Sequence, residues 1–136
     1  MMIYALSGNL TAKKDNFLVL NVGGVFYKAF INNRTYRALP VLNSSLQIYS
    51  YLNVKEDALD LYGFLSESDL YFFEKLLTVN GVGPKTALGV MALEAVDKLI
   101  AAINEGKADL LTKASGIGKK TAERISTPKK KAGKTV

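Results

Sequence analysis

Two segments of nine residues could bind phosphate. They are Val79-Asn80-Gly81-Val82-Gly83-Pro84-Lys85-Thr86-Ala87 and Ala114-Ser115-Gly116-Ile117-Gly118-Lys119-Lys120-Thr121-Ala122, offset by 35 residues. Each reads as the end of an apolar helix, a Gly-apolar-Gly turn, and a new helix that opens with a basic residue. A helix start presents unpaired backbone N–H groups and partial positive charge, which suits a phosphate oxygen. Gly81 and Gly116 are expected to take positive φ and close the preceding helix. Gly83 and Gly118, lacking Cβ, leave room for a sugar–phosphate strand beside the main chain. Val82 and Ile117 should point inward and lock each turn. Lys85, Lys119 and Lys120 add charge beside the phosphate, and Asn80, Thr86, Ser115 and Thr121 complete the expected DNA-binding positions with the glycines, Val82 and Ile117. A single Gly-x-Gly reads as an ordinary helix–helix turn. Two copies that agree at both glycines, the second lysine, the threonine and the alanine point instead to a ligand with regularly spaced phosphates, which is nucleic acid. None of these groups reads a base edge, so binding is expected to ignore sequence.

Composition narrows the alternatives. The 136-residue chain has no cysteine and no histidine. That excludes disulfide scaffolds, thiolate metal sites, Ser-His and Cys-His catalysis and most zinc sites. No cofactor and no metal are expected. The apolar runs are too short to span a bilayer, and residues 1–8 lack the basic and apolar regions of a secretory leader, so no membrane partner and a cytoplasmic location are expected. Charge is uneven. Residues 113–136 carry eight basic residues against the single acid Glu123, whereas residues 1–112 hold ten basic residues and eleven acidic ones. This asymmetry points to a polyanionic partner, although Lys129 to Lys134 also read as a solvated tail.

The elements that must position these turns differ along the chain. Residues 1–64 read as all-β: Ile3–Leu10, Phe17–Val22, Val25–Ile31, Leu46–Val54 and Ala58–Phe64 are runs rich in Val, Ile, Leu, Tyr and Phe. Turn signals separate them, including Lys13-Lys14-Asp15-Asn16 and the glycine pair Gly23-Gly24. Asn33–Leu39 reads as a helical turn closed by Pro40. Five strands and one short helix suit a small closed barrel such as an OB-fold, and an SH3-like barrel reads similarly. From Ser66 onward the apolar spacing becomes helical, with Leu70, Phe73, Leu76 and Leu77 on one face. Ser66 is expected to cap this helix, with Asp69 as its partner. Further helices follow over Thr86–Leu93, Asp97–Asn104, Ala108–Lys113 and Lys119–Ile125. Residues 127–136, with Pro128, Gly133 and four lysines, read as a disordered basic tail. The predicted fold class is thus α+β in two domains: a five-stranded OB-fold barrel over 1–64, then an all-α domain over 65–126 with two helix–hairpin–helix motifs.

Glu56-Asp57, between the last two strands, reads by itself as a polar turn. Asp60 is the only other nearby acid, so metal-dependent phosphodiester cleavage is poorly supported. Tyr49, Tyr51 and Tyr62 read as packing residues before a base-stacking platform.

Taken together, these motifs closely resemble the RuvA family, the DNA-binding subunits of the Holliday junction branch migration complex. The likeness runs from Met2 to about Ile125. It includes Val22-Gly23-Gly24-Val25, the acidic loop Val54-Lys55-Glu56-Asp57-Ala58, Leu61-Tyr62-Gly63-Phe64 and both hairpins, the second extending through Glu123-Arg124. The resemblance implies a homotetramer, or an octamer of two tetramers, whose basic face holds an open, square-planar four-way DNA junction. It implies hairpins on the arm backbones, and an acidic pin at the crossover matched by Glu56 and Asp57. It implies the ATP-driven motor RuvB as a partner, and admits the RuvC resolvase as another. The RuvA pattern fades after Arg124-Ile125, where the family continues toward a third domain that contacts RuvB. Junction binding without motor coupling is therefore expected of this chain. The competing readings are a helix–hairpin–helix glycosylase or nuclease, which would need an activating carboxylate after the hairpin, and a protein-interaction module, against which the hairpin lysines argue.

Overall fold

The computed structural model describes residues 2–126. Strands β1 (Ala5–Lys13), β2 (Phe17–Val22), β3 (Val25–Phe30), β4 (Ser45–Val54) and β5 (Leu59–Phe64) close into a barrel in the order β1-β2-β3-β5-β4. Helix α1 (Asn33–Ala38) connects β3 to β4. Every neighbouring pair is antiparallel except β3 with β5, which touch in parallel at Phe30 and Tyr62. This is the five-stranded OB-fold-like barrel that the sequence predicts.

Local chemistry explains the strand ends. The β2–β3 connection is a two-residue turn: Val22 pairs with Val25, and Gly23 and Gly24 have φ of 60° and 94°. Two successive positive φ values make a primed turn, whose twist matches that of the strands. Asn21 Oδ1 accepts a hydrogen bond from Gly24 N at 2.9 Å and braces it. Asn32 caps α1, its Oδ1 accepting from Thr35 N at 3.0 Å.

One strand differs from the sequence reading. β1 starts at Ala5 rather than Ile3 and runs on to Lys13 rather than stopping at Leu10. A bulge between Leu10 and Ala12 shifts the register, after which Ala12 pairs with Val19 and Lys13 with Leu18. The polar residues after Leu10 looked like a turn, but cross-strand pairing extends the ladder through them. The turn closes later, by a bond from Lys14 N to Phe17 O at 2.8 Å.

The barrel core is formed by Leu10, Leu18, Leu20, Ala29, Ile48 and their neighbours. Phe30 and Tyr62 stack on one side, ring centroids 5.6 Å apart, and Tyr4 meets Tyr49 edge-on at 5.7 Å. Tyr62 is 2% exposed, a packing residue rather than an open platform. Burial pushes its hydroxyl pKa upward.

The helices are α2 (Glu67–Leu77), α3 (Pro84–Met91), α4 (Val96–Asn104) and α5 (Ala108–Leu111), followed by α6 over residues 119–126. The predicted helix over Ala108–Lys113 is shorter than expected, because Thr112 and Lys113 already belong to the turn before the second hairpin. Ser66 caps α2, its Oγ accepting from Asp69 N at 3.2 Å. Leu70, Phe72, Phe73 and Leu76 give α2 its buried face. By internal contacts the chain divides into two compact units, one ending at Leu70 and the other starting at Tyr71. The tail predicted over residues 127–136 lies outside the described residues.

Candidate nucleic-acid interface

The 35-residue repeat is a structural repeat. The bond from Val79 N to Leu76 O (3.1 Å) is matched by that from Ala114 N to Leu111 O (3.1 Å). Val82 N bonds Val79 O at 3.1 Å, and Ile117 N bonds Ala114 O at 3.2 Å. Ala87 N bonds Gly83 O and Ala122 N bonds Gly118 O, both at 2.9 Å. Burial follows the same offset: Leu76 and Leu111, Val79 and Ala114, Val82 and Ile117, Ala87 and Ala122, Val90 and Ile125 are all buried. Two helix–hairpin–helix motifs of the same geometry therefore sit in the helical unit.

Within each hairpin the glycines have distinct reasons to be there. Gly81 and Gly116 have φ of 93° and 87°, which L-residues with a side chain rarely adopt. Gly83 has φ of −97°, and a Cβ built there, or at Gly118, would meet no described atom within 4 Å. Neither backbone strain nor internal packing requires glycine at these two positions.

The exposed rim of the first hairpin carries Asn80, Gly81, Gly83 and Lys85. That of the second carries Ser115, Gly116, Gly118, Lys119 and Lys120. Val82 and Ile117 turn inward, as the sequence suggests, and their N–H groups are already used within the turn. The amides ahead of the first helical bond thus come from the following helix. In α3 the first helical bond is donated by Ala87, so the N–H groups of Lys85 and Thr86 lie ahead of it, while Pro84 has none. In α6 the first is donated by Ala122, so Lys119, Lys120 and Thr121 all lie ahead. The second hairpin therefore offers one more amide and one more lysine. Thr86 and Thr121 are half-buried, and each lies near the first glycine of the opposite hairpin. A Cβ on Gly116 would lie 3.1 Å from Thr86 Oγ1, and a Cβ on Gly81 3.4 Å from Thr121 Oγ1. This crossed packing and the bond from Arg124 Nη1 to Asn80 O (3.4 Å) had no visible signal in the sequence.

The acidic pair belongs to the barrel unit. Residues 55–58 form the β4–β5 turn, closed by Lys55 N bonding Ala58 O at 2.8 Å, with Val54 paired to Leu59. Glu56 and Asp57 are exposed at its tip. The Asp60 carboxylate meets Lys55 Nζ at 3.1 Å, and this hydrogen bond raises the lysine pKa. Among the described residues no group of three or more His, Cys, Asp or Glu could hold a metal ion, and no helix is long and apolar enough to cross a membrane.

Comparison with known proteins agrees with both halves. Residues 2–63 match the RuvA N-terminal domain, and residues 73–126 match a SAM-like helix-hairpin-helix tandem. The Holliday junction branch migration complex subunit RuvA of Thermoanaerobacter sp. (strain X514) is 40% identical over 124 residues, covering 91% of this chain and 66% of the relative. That of Pseudomonas fluorescens (strain SBW25) is 41% identical over 124 residues, covering 91% and 61%. That of Prosthecochloris aestuarii is 41% identical over 125 residues, covering 92% and 62%. The chain thus spans less than two thirds of the length of these relatives. With a RuvA N-terminal domain, a helix-hairpin-helix tandem and this level of identity to RuvA subunits, the chain belongs to the RuvA family.

Proposed function

We propose that this chain binds four-way DNA junctions without regard to sequence and holds them open and square-planar for branch migration in recombinational repair. The observation that carries this reading is the pair of matched hairpins. In each, the second glycine is open to solvent and followed by exposed lysines and unpaired helix-start amides. Such turns grip a phosphate backbone, and two in one unit suit the strands of a single duplex arm. Asn80, Gly81, Gly83, Lys85, Ser115, Gly116, Gly118, Lys119 and Lys120 are the proposed DNA-facing positions, with Val82 and Ile117 anchoring the turns. The barrel, residues 1–64, supplies the assembly as a homotetramer and the junction centre. Glu56 and Asp57 form its pin, whose charge repels phosphate and keeps the crossover clear. Residues 65–126 supply the arm contacts. The proposed role is non-catalytic, and the ion pair with Lys55 at 3.1 Å engages Asp60, the nearest further acid in the sequence. In the family the RuvB motor supplies the energy for migration, and the proposed contribution of residues 1–126 is the DNA platform alone.

A gel-shift titration tests this reading, using a four-way junction, a duplex of matched sequence, and a parallel incubation with magnesium. The junction should bind far more tightly than the duplex, since linked contacts can raise affinity by roughly 10²- to 10⁴-fold, and neither should be cut. Equal affinity for the two DNAs would sink the proposal, and magnesium-dependent strand cleavage would move the protein among nucleases.

A further inference from the structure

The two hairpins are locked to each other through a crossed contact, and this contact bears on which DNA they can hold. Thr86 and Thr121 occupy equivalent places in the repeat, as do Gly81 and Gly116. Yet each threonine packs against the glycine of the other motif. A Cβ on Gly116 would lie 3.1 Å from Thr86 Oγ1 and 3.7 Å from its Cγ2. A Cβ on Gly81 would lie 3.4 Å from Thr121 Oγ1 and 3.9 Å from its Cγ2. The contact at Gly116 is tighter than a Cβ ordinarily makes, whereas that at Gly81 falls at ordinary van der Waals distance. The contact is thus reciprocal between the two hairpins. Arg124 adds a brace on one side only, donating from Nη1 to Asn80 O at 3.4 Å, since its counterpart 35 residues earlier is Gly89.

We propose that Thr86 and Thr121 are positioning residues: packed against the opposite glycine, they set the separation of the two anion-binding turns, and with it the duplex groove that both turns can grip at once. This rests on the hairpins binding DNA as proposed above. The threonines act by shape, as β-branched side chains with one stiff χ1 setting. Their hydroxyls need not reach phosphate.

The discriminating substitutions are Thr86→Val and Thr121→Val, which keep the branched shape and remove the hydroxyl, and Thr86→Ile, which adds a methylene against Gly116. Hairpin separation is read without DNA, by electron–electron distance measurement between spin labels on Thr78→Cys and Lys113→Cys, in assemblies diluted with unlabelled chain. Both sites are exposed and equivalent in the repeat, and the chain has no native cysteine. Junction affinity and its salt dependence are measured on the same variants, with thermal melts to confirm folding.

The valine variants should keep the native distance, the native salt slope and affinity within about twofold. The isoleucine variant should lengthen the distance and weaken junction binding by about tenfold or more, because losing simultaneous engagement forfeits part of the avidity gain. Its salt slope should become shallower as fewer phosphates are neutralised together. Loss of binding in the valine variants at unchanged distance would overturn the proposal, since the hydroxyls would then be ligand contacts. An isoleucine variant that folds with unchanged distance would overturn it as well. If the native chain binds no junction but the isoleucine variant still lengthens the distance, the spacer contact stands and the functional reading fails.

Discussion

At the scale of single residues, the hairpin glycines divide into two classes with different consequences. Gly81 and Gly116 are conformational: substitution by alanine forces a side chain into positive φ, and Gly116→Ala also presses on Thr86. Each should cost on the order of 1–2 kcal/mol of stability, read as a lowered denaturation midpoint. Gly83 and Gly118 are open, so Gly83→Val and Gly118→Val should melt close to the native chain while losing DNA affinity. Large destabilisation by these valines would show that the open geometry is wrong. The lysines separate by hairpin. Lys85→Ala should flatten the plot of log affinity against log salt by about one unit for each subunit engaged, about four in the proposed tetramer, and the double change Lys119→Ala, Lys120→Ala by about twice that. The loss should be uniform across arm sequences, because these charges meet backbone and not base edges. A titration series on junctions with different arm sequences checks both statements.

At the scale of elements, α2 depends on the start that its sequence encodes. Ser66 Oγ accepts from Asp69 N, and removing it by Ser66→Ala should cost about 1 kcal/mol. Asp69 itself is held in tension. Burial raises its carboxyl pKa, while the Ser66 hydrogen bond and the charge of Arg34 lower it, and burial wins. An acid whose folded pKa lies above its unfolded value binds its proton more tightly in the folded state. Its contribution to stability is therefore greatest at low pH and declines as pH rises through the window above 3.8, the ordinary value. Asp69→Asn removes that term, so the variant should gain stability relative to the native chain as pH rises through this window. Thermal melts of both proteins across that range provide the check; parallel curves would count against burial as the dominant influence.

At the scale of the whole molecule, the acidic turn should control selectivity more than affinity. Glu56→Gln with Asp57→Asn removes exposed charge from the tip of the β4–β5 turn without touching the Lys55–Asp60 pair that braces its base. The double variant should bind a four-way junction at least as tightly as the native chain. It should also bind duplex and three-way DNA more readily, because like charge facing phosphate is what discourages the wrong partner. Competition between junction and duplex, measured by fluorescence anisotropy, reports the ratio. A folded double variant that loses junction affinity would make the pin an attractive contact and reverse its assigned role.

Much of this protein was legible before any coordinates. Alternating apolar runs, the Gly23-Gly24 pair and the Ser66 cap are local signals, and local backbone preference decides them. The hairpins were legible because a repeat at one offset carries the same φ requirement twice, at Gly81 and Gly116. Other features depend on partners distant in sequence. β1 continues to Lys13 because its cross-strand neighbours Leu18 and Val19 extend the ladder past a bulge, which no window around Thr11 reveals. Asp60 stood beside Glu56 and Asp57 as one more acid until its bond to Lys55 set it apart. Thr86 and Thr121 looked like rim residues because they adjoin the lysines. Only the folded chain brings each of them against a glycine 30 or 40 residues away, since the two motifs pack reciprocally. Sequence by itself determined where the two glycine turns fall, through residue types that act where they stand. Tertiary structure decided how those turns are spaced, because separation is a property of packing between segments that the chain does not place side by side.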